Sequence, residues 1–106
     1  MIKIKRNIEV SKKAIEQNLK RLTNQIYKIL PLREEDQNWE LPLNTIIEEL
    51  NGLYILLEDK PCQFLTLLCK LEGLTTYQSK EDFFEYRRVI FECLSLLEEI
   101  KNELIK

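Results

Sequence analysis

From Ser79 to Lys106 the chain contains neither glycine nor proline, and Tyr86, Ile90, Cys93, Leu97, Ile100 and Leu104 recur at steps of 4, 3, 4, 3 and 4. A helix collects such positions on one face, and a strand does not. Phe83, Phe91 and Leu94 widen that face. Ser79-Lys-Glu-Asp82 resembles a capping box, with aspartate where glutamate or glutamine is usual. The pattern predicts a last helix over about 80–105, roughly 40 Å long at 1.5 Å per residue.

The same period marks the other end of the chain. Ile8, Ile15, Leu19, Leu22, Ile26 and Ile29 predict a first helix over about 8–30, starting at Asn7 or Ser11. Pro31 is expected to end it, because proline disfavours helical geometry at the residue before it. Residues 1–6 alternate apolar and basic, with no second strand-like run to pair with them, and are read as a frayed lead-in.

Two shorter helices are expected between these. Pro42 suits a first turn, and Leu43, Ile46, Ile47, Leu50, Leu53, Tyr54 and Leu57 form an apolar face over about 42–58. Gly52 inside it suggests a close backbone approach or a kink. The third helix, about 60–72, carries Phe64, Leu65, Leu67, Leu68, Cys69 and Leu71 with no wide polar face. A helix apolar nearly all round is expected at the centre of a fold. Asp59 is placed to cap it, and Gly73 with Leu74 to close it in a Schellman turn.

The fold expected is all-α: a four-helix antiparallel bundle, with long first and last helices and short middle ones. At 106 residues the chain makes a single domain over 1–106, large enough to bury a core without disulfide or metal support. No run approaches the ~20 apolar residues of a membrane span. The N-terminus has no signal-peptide apolar region. All three cysteines read as small apolar core residues in a reduced, cytoplasmic protein.

The composition excludes much chemistry. Histidine is absent, which removes the commonest general base and metal ligand. Three dispersed cysteines make no zinc site, and two glycines 21 residues apart make no phosphate-cradling loop. Adjacent carboxylates such as Glu48-Glu49 and Glu98-Glu99 read as solvated helix faces. The chain is therefore expected to be no enzyme and to hold no cofactor or metal.

A net charge of −2 hides an asymmetry: residues 1–30 carry eight basic groups against two acidic, and residues 31–106 eight against sixteen. A basic first helix beside an acidic last one would account for it. The function expected is a protein–protein interaction module: an adaptor, accessory subunit or inhibitor, of the kind mobile elements encode. If two short helices cannot cover two long ones, the apolar overhang favours a homodimer. Trp39, in the acidic segment 31–41, either folds over an end of the core or meets a partner; Phe91 and Leu104 are further interface candidates. The alternative is nucleic-acid binding by Arg6, Lys13, Lys20, Arg21 and Lys28 on the outer face of the first helix. Membrane-surface attachment by that helix is disfavoured, since its apolar face lacks Trp and Phe.

Overall fold

Four helices dominate the backbone in the computed structural model, which describes residues 2–4, 8–35, 37–57 and 60–104. They are α1 (Lys12–Glu34), α2 (Glu40–Leu56), α3 (Cys62–Gly73) and α4 (Phe83–Leu104). A two-stranded ribbon, β1 (Ile2–Ile4) and β2 (Ile8–Val10), precedes them, and single 3-10 turns at Leu74–Thr76 and Lys80–Asp82 join α3 to α4. The helices run antiparallel around a ring: α1 packs on α2 and α4, and α3 packs on the same two. The rod measures 47 × 21 × 20 Å. Every buried side chain among the described residues is apolar or aromatic.

The apolar stripes position these helices as expected. Ile15, Leu19, Leu22, Ile26 and Ile29 of α1 are buried, as are Tyr86, Ile90, Cys93, Leu97 and Ile100 of α4. Leu43, Ile46, Leu50 and Leu53 do the same for α2. The stripes are covered from Ile15 to Ile29 and from Tyr86 to Ile100, with Ile15 5% exposed and Ile100 fully buried. Over those described spans α1 and α4 leave no apolar overhang. The Arg21–Glu49 pair lies across α1 and α2, and Lys70–Glu92 across α3 and α4, so the shorter helices lie along the lengths of the longer ones.

Several boundaries differ from the sequence reading, each for a local reason. Within the expected lead-in, the described residues 2–4 are paired. Ile2 stands opposite Val10, Lys3 opposite Glu9 and Ile4 opposite Ile8. Ile8 and Val10, β-branched, thus serve as the second strand instead of extending the helical stripe. Of the two expected starts, Ser11 is the cap in use: α1 begins at Lys12, where Ser11 is extended and its Oγ accepts from the Ala14 N–H at 3.1 Å. Asn7 lies outside the described residues.

Pro31 does not end α1, which continues to Glu34. So near the C-terminus its missing N–H costs one hydrogen bond, while its carbonyl still accepts from Glu35 N at 3.1 Å. The expected loop over 31–41 shrinks accordingly, and α2 starts at Glu40. Asn38 Oδ1 accepts from Glu40 N at 3.2 Å and Leu41 N at 3.3 Å, satisfying first-turn donors. Pro42 then sits in the first turn, where its lack of a donor is harmless. Helix α2 ends at Leu56; Asp59, the expected cap of α3, lies outside the described residues.

Helix α3 is not sheathed. Phe64, Leu67, Leu68 and Leu71 are buried, but Leu65 is 55% exposed and Cys62, Thr66 and Cys69 face water. A ring of four helices has no central member, so each must turn one side outward, and that of α3 is largely apolar. Its end differs too. Gly73 is helical at φ −68° and Leu74 follows in helical geometry, giving a 3-10 turn and no Schellman motif.

No other backbone approaches Gly52: a Cβ there would meet nothing within 4 Å. Gly52→Ala is accordingly expected to stabilise the fold by roughly 0.5–1 kcal/mol through reduced freedom of the unfolded chain. Urea denaturation measures this; a loss of stability would contradict the open surroundings.

Candidate interaction surface

One end of the rod is fastened by a side chain that no sequence pattern marks. Arg33, in the last turn of α1, donates from Nε and Nη2 to the Tyr77 carbonyl at 3.2 and 2.6 Å. Nη2 also donates to the Ser79 carbonyl at 2.8 Å. Its guanidinium carbon lies 4.5 Å from the Tyr86 ring centre, 5.2 Å from Phe83 and 6.0 Å from Trp39. Carbonyl dipoles and ring faces take the place of a carboxylate here. A cleft of about 540 Å³ opens beside it, lined by Arg33, Gln37, Trp39, Gln78 and Phe83 among others. The guanidinium is already held by three hydrogen bonds and three rings, so this cleft reads as the seam of a closure.

Trp39 belongs to that closure. It is 8% exposed and meets Tyr86 edge to face, with centroids 5.0 Å apart. It therefore offers little surface to a partner. Burial among these rings pushes the Tyr86 hydroxyl well above its ordinary range, against the opposing pull of Arg33. That hydroxyl faces the Ile29 carbonyl at 3.4 Å.

The basic face of α1 is present in part. Lys13, Lys20 and Lys28 are exposed. Arg21 instead turns to Glu49 of α2 at 2.9 Å and to Asn18 at 2.6 Å. Arg6 lies outside the described residues. Three lysines thus remain along roughly 22 Å of helix, two turns apart.

On α4 the side turned from the core carries aromatic rings. Phe84 is 74% exposed and Phe91 44%. Seven residues apart, they lie on one line of the helix, nearly opposite Tyr86 and Cys93. Arg87 holds its guanidinium carbon 5.6 Å from the Phe91 ring centre and has no ion-pair partner among the described residues. Arg88 is tied within its helix to Glu85 at 2.6 Å and Glu92 at 3.3 Å. Phe91, expected both to widen the core face and to meet a partner, lies on the outer side, and Phe84 in line with it carries no signal in the apolar period. Helical angles measured from the Ile90–Leu97 stripe would have placed both outward. Leu104 is half-buried at the far end.

The cysteines correct another expectation: only Cys93 is a core residue, while Cys62 and Cys69 are exposed and free. Iodoacetamide is expected to modify Cys62 and Cys69 in the folded protein and to reach Cys93 only on unfolding. Burial pushes the Cys93 thiol from 9.0 up to about 12. The unfolded chain ionises this group near pH 9.0, whereas the folded one keeps the proton to about 12. Its contribution is complete below pH 9 and is lost as pH rises toward 12. Unfolding free energy measured across that window should fall more steeply in the native chain than in Cys93→Val.

Among the described residues, no group of three or more His, Cys, Asp or Glu is placed to hold a metal ion, and no helix is long and apolar enough to cross a membrane. No family model, curated protein or solved structure matches this chain.

Proposed function

We propose that this chain is a non-catalytic protein–protein interaction module, acting as an adaptor, accessory subunit or inhibitor, with the outer face of α4 as its contact surface. The observation that carries this reading is Phe84, 74% exposed in line with Phe91 on a helix whose other side is fully committed to the core. An exposed phenylalanine contributes nothing to the bundle and is costly to solubility, whereas buried aromatics with nearby arginines are what interfaces use. The lack of histidine and of any phosphate loop in the sequence supports a binding role over a catalytic one. Two exposed free thiols suit a reducing compartment, which supports a cytoplasmic setting for this reading.

The test is capture of binding proteins by the full chain and by Phe84→Ser/Phe91→Ser, with folding checked by circular dichroism. Equal capture by both chains would remove α4 from the proposal. Nucleic acid is a weaker fit. Three free lysines neutralise about three phosphates, giving a salt slope near −2.7, far below that of duplex-binding proteins. Titration of labelled DNA and RNA at low salt, with Lys13→Glu/Lys20→Glu as the control, decides that alternative.

A further inference from the structure

We propose that the outer face of α4 binds a second copy of this chain, α4 lying antiparallel on α4 across a two-fold axis near Phe91; this rests on the interaction reading above and names its partner. The face carries its own complement. Its N-terminal half presents Arg87 and Arg88, and its C-terminal half Glu98 and Glu99, all exposed. An antiparallel two-fold sets the basic half of each copy along the acidic half of the other, twice over. Arg87 lies four residues before Phe91 and Glu98 seven after it, so they are offset by roughly 4.5 Å across such an axis, within an arginine's reach. A parallel pairing would oppose Arg87 to Arg87 and Glu98 to Glu98, and like charges reject it.

The charge states fit the same pairing. Arg88 is already satisfied by Glu85 and Glu92, while Arg87, among the described residues, rests on the Phe91 ring alone. Glu98 reaches Lys101 at 3.2 Å but leaves 60% of its side chain in water. The apolar groups match as well. With the axis near Phe91, the two Phe91 rings meet at the centre and each Phe84 falls over residues 95–99 of the other copy. There a shallow groove of about 540 Å³ between α3 and α4 is lined by Ser95, Leu96 and Glu99. Ser95 is small enough to let the helices approach. One helix pair buries an area at or below the low end of stable interfaces, so the dimer is reversible and salt-sensitive.

Sedimentation velocity of the full chain, over a range of concentration and salt, is the experiment. Reversible dimers are expected, weakened by salt. Arg87→Glu alone and Glu98→Arg alone should each raise the dissociation constant about tenfold or more, and the double swap Arg87→Glu/Glu98→Arg should bring it back to within about threefold. Phe84→Ser/Phe91→Ser should stay monomeric with an unchanged circular dichroism spectrum. A dimer indifferent to these changes, or a swap that fails to rescue, overturns the proposal. A chain that is monomeric throughout also overturns it. If that monomer still binds another protein through Phe84 and Phe91, the broader interaction reading survives; if it binds none, both fall.

Discussion

Trp39→Ala is expected to lower the unfolding free energy by about 3–5 kcal/mol, the range for deleting a large buried aromatic. The indole is 8% exposed and anchors more than its own area. It stands edge-on to Tyr86 at 5.0 Å and forms one wall around Arg33. Its removal admits water to a guanidinium whose partners are neutral carbonyls, which weakens those bonds in turn. Arg33→Ala should cost about 2–3 kcal/mol from charge-assisted hydrogen bonds and ring contacts. Because the two side chains share one cluster, the double variant should cost less than the separate losses added together. Domains of this size hold about 5–15 kcal/mol in all, so Trp39→Ala is expected to melt well over 10 °C lower. Thermal and urea unfolding measure both quantities. A cost below about 1 kcal/mol would mean the tryptophan is not part of the core.

The second large effect contrasts neighbours on α3. Phe64→Ala should destabilise by about 3–5 kcal/mol, and Leu65→Ala by no more than about 0.5 kcal/mol. Phe64 is fully buried and meets Tyr54 of α2 at 5.5 Å between ring centres, whereas Leu65 is 55% exposed. Comparable losses at both positions would restore the picture of α3 as an enclosed central helix. The measurement is the urea midpoint of each variant, read with its slope so that a change in the unfolded state is not mistaken for a contact.

These contrasts mark where the amino-acid order was informative. The stripes of α1, α2 and α4 alternate apolar and polar residues at helical spacing, so their buried sides were legible from residue type alone. In α3 the apolar residues occupy nearly every direction, and periodicity cannot say which side meets water; only its two helical neighbours decide. The ribbon was missed because Ile8 satisfies a helical spacing from Ile15 as well as a strand alternation with Val10. Pro31 does not stop α1, since the effect of a proline depends on how many turns follow it. The Arg33 closure had no local signal at all. Its acceptors lie 44 and 46 residues away on backbone carbonyls, which carry no side-chain identity. Phe84 and Phe91 fall outside the buried stripe, and its period alone says nothing of what the opposite face carries.

The closure around Arg33 has a consequence for how the rod opens. It gathers the last turn of α1, the start of α2, the carbonyls before α4 and the first turn of α4 at one pole. Amide hydrogens near Ile29 and Tyr86 should accordingly outlast those near Ile15 and Ile100 in deuterium, although all four side chains are equally well hidden. The molecule would then loosen from one tip toward the other, with a direction that its nearly uniform aliphatic interior does not itself supply.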